Sequence, residues 1–253
     1  MSFTTQVYML LTAVIFGYSV EFMDFSSVDF SKLKCLQPLE SYSRSPCPFI
    51  NSLANCGLIK RDGKGILLSQ IERAMREIGR VNKIFTRLAI NGATSFLKKN
   101  EEGEYEFDLI ELNLHNSKLH AAIEHDGSFT RQDHYTSDYP IIKPDVEMIE
   151  QVLSMSKNKE TLTFDELVSA RLAIINKSKE DFRSYISYKD YAAIHIQTIF
   201  TVTVLGRNDE ISLDHARQFL IDEVFPKDWM IRETELSVFE MVRKLFKLFT
   251  TWK

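Results

Sequence analysis

The stretch RSPCPFINSLANCG, Arg44 to Gly57, sets a cysteine between two prolines at the mouth of a helix-like run. Proline fixes its own backbone torsion and carries no amide donor, so Pro46 and Pro48 both stiffen the chain around Cys47. Pro48 suits the first turn of a helix, where a missing N–H would find no partner anyway. Cys47 then stands where unpaired amides and the helix dipole favour an anion. A thiolate in that setting makes a nucleophile or a metal ligand. A nucleophile wants a base beside it, and the sequence does not place one. A ligand needs only a fixed direction and a stabilised charge. The plainer alternative is a buried free cysteine at a helix start.

Working outward, most of the chain carries helical periodicity. SQIERAMREIGRVNKIFTRLAI (Ser69–Ile90) opens with a Ser-x-x-Glu capping box at Ser69 and Glu72, and its apolar residues recur at three- and four-residue steps. TFDELVSARLAII (Thr163–Ile175) repeats the device with Thr163 and Glu166. Pro144 is expected in a first helical turn, and SLDHARQFLIDEVF (Ser212–Phe225) and ETELSVFEMVRKLFKLF (Glu233–Phe249) read as further helices. Only GEYEFDL (Gly103–Leu109) hints at period-two alternation. With 253 residues, 44% hydrophobic and 26% charged, no repeat and no linker, the chain suits one sizeable core. The expected fold is a single all-α domain.

Net charge is −4 and the basic residues are interleaved with acidic ones, which gives no footprint for nucleic acid. The C-terminal RKLFKLFTTWK (Arg243–Lys253) is basic and amphipathic, as a helix lying on a membrane would be. We read it as docking its Leu and Phe face on the core, so membrane contact is not expected. QVYMLLTAVIFGYSV (Gln6–Val20) is apolar and uncharged, with Gly17 and Ser19 spaced as at a signal cleavage site. The expectation is a secretory signal over residues 1–19 and a mature domain over 20–253, with an uncleaved anchor as the alternative. Asn176-Lys177-Ser178 is a glycosylation sequon compatible with an extracellular location. Three cysteines make no disulfide scaffold; if Cys47 is the special one, Cys35 and Cys56 are left as a possible pair.

A second cluster is IEHDGSFTRQD, Ile123 to Asp133. Glu124, a main-chain carbonyl and Ser128 could gather oxygens around a hard cation such as Mg²⁺. As structure only, the segment is a polar turn. His115, His120 and His125 are spaced five apart, which turns about 140° on a helix, so they do not share a face and a zinc site is not expected. A third stretch, YAAIHIQTIFTVTVLG (Tyr191–Gly206), is apolar except for His195 and Gln197 and ends in a glycine suited to a helix C-cap. Its β-branched content also allows a buried strand. On a helix, two residues two apart point in different directions, so only one of His195 and Gln197 is expected to face a given cavity.

Together these segments resemble the heme-thiolate peroxidases, the family of chloroperoxidase and the unspecific peroxygenases. The likeness is carried by Pro46-Cys47-Pro48, by INSLANCGLIKRDGKGI after it, and by Glu124-His125-Asp126 with Ser128 and Arg131. ARLAII and DEVFPKDW are weaker echoes, and the likeness spans Cys35 to Trp229. It implies a helical fold enclosing heme b, with Cys47 as the proximal thiolate ligand of the iron. It also implies a Mg²⁺-type cation near a heme propionate, held by Glu124, the His125 carbonyl and Ser128. The activity implied is peroxidase or peroxygenase chemistry, with hydrogen peroxide as oxidant and small organic molecules as substrates. The His125 side chain would stand on the distal side and orient a catalytic glutamate. Counting back nine residues from Gly206, that glutamate's position falls on Gln197. Glutamine cannot take or return a proton near neutral pH, so activity is expected to be attenuated unless His125, or less readily Asp190, takes over. The alternative is a heme-binding protein of the same fold with little peroxide turnover. Cys56 is a second departure, since the family commonly has histidine in the LAN-x-G slot.

Overall fold

In the computed structural model, the described residues are 24–94, 97–113, 125–133, 142–177 and 188–251. Helix α1 (Pro48–Asn55) begins where the prolines dictate: Pro48 takes the first helical position and Cys47 is the N-cap, with extended backbone. Asn51, Ser52, Leu53, Ala54 and Asn55 are all buried, so this helix runs through the interior.

The long run expected over Ser69–Ile90 is two helices, α2 (Leu68–Glu77) and α3 (Lys83–Thr94). The break lies at Arg80, whose φ of 51° is left-handed. Leu236 donates to the Arg80 carbonyl at 2.7 Å and pairs with Val81 as an isolated bridge, so tertiary pairing wins over helical periodicity there. The start also differs from expectation. Strand β1 (Ile66–Leu67) leads straight into α2, and Gln70, not Glu72, caps it by accepting from the Leu67 amide at 3.1 Å. Asn82 caps α3, its Oδ1 accepting from the amides of Ile84 and Phe85.

The alternating piece GEYEFDL does form a strand. With β2 (Lys98–Lys99) on one side and β1 on the other, β3 (Tyr105–Phe107) is the centre of a small antiparallel sheet ordered β1-β3-β2. Asp145 caps helix α4 (Val146–Leu153) by accepting from Met148, which puts Pro144 before the cap, not in the first turn. Helix α5 (Phe164–Lys177) keeps its capping box: Glu166 accepts from the Thr163 amide at 2.9 Å, and Thr163 Oγ1 accepts from Glu166 at 3.3 Å. Asn176 of the sequon falls in its last turn, and Ser178 lies outside the described residues.

The apolar stretch ending at Gly206 is helical, not a strand. Helix α6 (Tyr188–Phe200) widens into a π-helical turn over Thr201–Leu205. Gly206 follows in extended conformation; glycine is needed because a Cβ would sit 2.2 Å from the Glu210 carbonyl. Strand β5 (Glu210–Ser212) then pairs with β4 (Thr161–Thr163), and Ser212 caps helix α7 (Leu213–Leu220). The last helix, α8 (Val238–Thr251), buries Met241, Lys244 and Leu248 but leaves Phe239, Val242 and Phe246 exposed. Its Leu-bearing side docks, and two of its phenylalanines do not. Among the described residues no helix is long and apolar enough to cross a membrane. The architecture is mainly helical, as expected, with two small sheets.

Cys35 and Cys56 are joined in a disulfide 21 residues apart in sequence, leaving Cys47 as the free cysteine. The bond ties the N-terminal segment to the end of α1, beside a hydrogen bond from Leu36 to the Asn55 carbonyl at 2.9 Å. A crosslink of this loop length restricts the unfolded chain by about 3 kcal/mol. Replacing both cysteines by serine is therefore expected to lower unfolding free energy by about 2–4 kcal/mol in urea titration, with the helical spectrum retained.

Candidate active site

Cys47 is positioned by a chain of buried hydrogen bonds. Ser45 gives its amide to Asn51 Oδ1 at 2.9 Å and its carbonyl accepts from Asn51 Nδ2 at 2.8 Å, which folds the loop back onto the first turn of α1. The Cys47 amide then donates to Ser45 Oγ at 3.1 Å. Arg44 anchors the loop's start, its Nη2 donating to Asn55 Oδ1 at 2.6 Å. Gly63, in the RDG turn, must be glycine: its φ is +69° and a Cβ would meet the Ser43 carbonyl at 2.1 Å.

Below this loop lies Glu223, just past α7. Its carboxylate accepts from Asn51 Nδ2 at 3.0 and 2.9 Å, and its carbonyl accepts from Asn55. Arg131 Nη2 donates to the same carboxylate at 2.5 Å. The side chains of this pair are only 3% and 8% exposed. The Cys47 loop, the EHDGSFTR segment and the DEVF segment thus meet at one buried ion pair.

Burial pushes the Cys47 thiol up, while the amides of Ile50 and Phe49 and the charge of Arg131 pull it the other way. The Glu223 carboxyl is also pushed up by burial, against the opposing pull of Arg131 and Asn51.

Cys47 lines a cavity of about 580 Å³, within the roughly 300–1,000 Å³ of ligand and cofactor pockets. Pro46, Cys47 and Phe49 form one wall; His125, Ser128 and Arg131 contribute a second. Helix α6 contributes His195 and Gln197, so both line the cavity, contrary to the expectation that only one would. Leu88 of α3 and Leu245 of α8 add further apolar lining.

Gln197 is fully engaged at its carbonyl end. Its Oε1 accepts from Arg171 Nη2 at 2.5 Å and from the Phe129 amide at 3.1 Å, while Nε2 donates to Ser128 Oγ at 3.0 Å. Arg171 is fully buried, 3.6 Å over the Phe129 ring, and burial lowers its pKa to about 9. His195 is buried near it, and desolvation followed by the Arg171 charge lowers its pKa to about 4, so it is neutral at physiological pH. His125 Nδ1 lies 2.9 Å from the Asp126 carbonyl. A carbonyl only accepts, so Nδ1 carries a proton.

The structure therefore brings together Cys47, His125, Ser128 and Gln197. Glu124 lies outside the described residues, as do His115, His120 and the side chain of Asp190. Ser128 Oγ accepts from both Gln197 and the Thr130 amide. Among the described residues no group of three or more His, Cys, Asp or Glu could hold a metal ion. Asn51, Glu223 and Arg171 were not foreseen. The signals existed: Asn51 and Asn55 are one helical turn apart, Glu223 sits in DEVFPKDW and Arg171 in ARLAII.

The family profile described as Peroxidase, family 2 matches residues 35–234, most of the chain. The chain belongs to this family. A chloroperoxidase from Leptoxyphium fumago is 33% identical over 107 residues, covering 42% of this chain and 28% of that protein. The match thus spans little more than a quarter of that relative's length. The matched range takes in the Cys47 loop, the EHDGS segment, the cavity wall on α6 and Glu223, but not Leu245 of α8.

Removing one partner of a buried ion pair leaves the other uncompensated, at a cost of about 3–5 kcal/mol. Glu223→Ala is expected to lose about that much stability in denaturant unfolding, and Glu223→Gln, which keeps the Asn51 bond, distinctly less.

Proposed function

We propose that the protein is a heme-thiolate peroxidase of this family, with Cys47 as the axial ligand, hydrogen peroxide as oxidant and small organic molecules as substrates. The observation that carries the proposal is the cavity itself: an apolar space with the free cysteine in its wall and a buried arginine beside it. Arg131 is 3% exposed, yet its Nε and Nη1 have no hydrogen-bond partner among the described residues. Buried donors left unpaired cost about 1–3 kcal/mol each, so the cavity suits an apolar group that carries carboxylates. Heme has that chemistry, and its propionates would satisfy Arg131. With a thiolate ligand, heme supplies O–O bond cleavage.

The chain's own residues supply the rest. The Ser45–Asn51–Glu223 bonds hold Cys47 in one direction. Phe49, Leu88 and Leu245 give the cavity apolar surface suited to an apolar substrate. His125 is the group proposed to move the proton between peroxide oxygens, with its ring held by the Nδ1 hydrogen bond to the Asp126 carbonyl. Gln197 keeps the hydrogen bonds and the shape of a protonated carboxyl but moves no proton, so turnover is proposed to be attenuated.

A second reading, a heme protein with little peroxide turnover, is favoured by one observation: the Gln197 amide is held on both sides by Arg171 and Ser128. Secretion is supported by the apolar leader and by the Cys35–Cys56 bond, which persists in oxidising compartments.

The reduced, CO-treated protein is expected to show the strongly red-shifted Soret band of thiolate ligation, and Cys47→Ala to lose it; a band unchanged in that variant rejects Cys47 as ligand. Gln197→Glu places a carboxylate against Arg171, which would hold it ionised as a base. Peroxide turnover is expected to rise, up to the roughly 10²–10⁴-fold of general acid–base catalysis, measured in steady-state assays on heme-loaded protein. No gain assigns the whole proton transfer to His125.

A further inference from the structure

We propose that the face presented by α3 and α8 beside the cavity docks on an anionic lipid bilayer. The inference goes beyond the heme-thiolate reading and does not depend on what the cavity holds.

Helix α8 docks on the core by one side only. Met241, Lys244 and Leu248 are buried, and Leu245 lines the cavity. Phe239 and Phe246 remain 79% and 68% exposed, with Val238 and Val242 exposed beside them. Val238, Val242 and Phe246 follow at four-residue steps and Phe239 is three from Val242, so the four make one continuous strip. Helix α3 adds Ile84 and Leu88, one turn apart and 59% and 62% exposed. Leu88 also lines the cavity, so the cavity nears the surface on this face. The two helices begin side by side, tied by the Val81–Leu236 bridge and by Asn82 Nδ2 donating to the Leu236 carbonyl at 2.6 Å. Singly exposed apolar residues are ordinary, but contiguous ones mark a surface that meets something apolar.

Charge at the edge of the strip decides what that is. Around the axis of α8 the order runs from cavity-lining Leu245 through Val242 and Phe246 to exposed Arg243 and Lys247. Around α3 it runs from Leu88 through Ile84 to exposed Arg87 and Lys83. The acids near these cations are already engaged. Asp209 pairs with Lys244 as well as Arg243, Asp165 with Lys247, and Glu240 with Arg232. Lys83 and Arg87 make no ion pair among the described residues, and the exposed Glu233 and Glu235 precede α8 instead of lying on it.

A second copy of this face would set cations against cations, because a two-fold contact pairs a patch with itself. An anionic bilayer fits both parts. Phenylalanine and aliphatic side chains enter the boundary between headgroups and acyl chains, and lysine and arginine at the edge meet the negative surface. Docked in this way, the cavity's approach at Leu88 faces the lipid.

The test is co-sedimentation of the full chain with vesicles of phosphatidylcholine alone and of phosphatidylcholine with an equal part of phosphatidylglycerol. Native protein is expected to bind the anionic vesicles, to leave them at high salt, and to bind the neutral ones at least tenfold more weakly. Phe239→Ser with Phe246→Ser, and separately Lys83→Glu with Arg87→Glu, are each expected to weaken binding to anionic vesicles at least tenfold. All four side chains are exposed, so helical content and cooperative unfolding are expected to be retained. No binding by native protein overturns the inference. Binding within twofold of native in either folded variant also overturns it, the result expected if the apolar run Gln6–Val20 alone carried the attachment. A dimer dispersed by the phenylalanine substitutions, without vesicle binding, gives the face to a second copy and overturns the inference too.

Discussion

One buried carboxylate, Glu223, ties together three segments that are distant in sequence. It accepts from Asn51 on α1, pairs with Arg131 of the EHDGSFTR turn, and holds Asn55 through its own carbonyl. Its backbone adopts φ of 54°, a left-handed conformation that a non-glycine residue takes only when its surroundings impose it. A buried pair like this is weak evidence for stability, because desolvation offsets most of the Coulomb energy. Its value lies in direction. Asn51 cannot orient Ser45 unless its own amide is held, and Ser45 is what receives the Cys47 amide.

The opposite wall is organised by a different arginine in the same manner. Arg171 stacks on Phe129, which belongs to the turn that also supplies Arg131 and Ser128, and its guanidinium fixes the Gln197 amide. The turn EHDGSFTR is thus gripped from both sides, by Arg131 reaching to Glu223 and by Gln197 and Arg171 reaching to Phe129 and Ser128. Arg131 lines the apolar cavity and Arg171 stands behind Gln197, each with an N–H that has no hydrogen-bond partner among the described residues.

The helical class and the Cys47 helix were legible because they rest on local chemistry. Proline at the first turn and Thr163 with Glu166 as a capping box act within a few residues, and both stand in the structure. The Ser69 box failed because strand β1 hands the chain to α2 two residues early, and the break at Arg80 was hidden because its cause, Leu236, lies far along the sequence. The Cys35–Cys56 bond was left open for the same reason, and it supplies a structural role for the cysteine in the LAN-x-G slot. At the site, local motifs gave Cys47, His125 and Ser128. Glu223 and Arg171 needed the fold, since a lone Glu or Arg in a helical pattern reads as a solvated residue until it is seen to be buried.

The charges around Cys47 bear directly on the proposed heme ligation. Burial raises the thiol's pKa, and the Glu223 charge adds to that, while the helix amides and Arg131 oppose it without prevailing. A neutral thiol is therefore the stable form of the free side chain here. A metal cation at the sulfur reverses the balance, because a coordinated thiol is deprotonated outright. Arg131, whose Nε and Nη1 have no hydrogen-bond partner among the described residues, would hold the carboxylates of the proposed heme. Thiolate and carboxylate would then be compensated by one binding event.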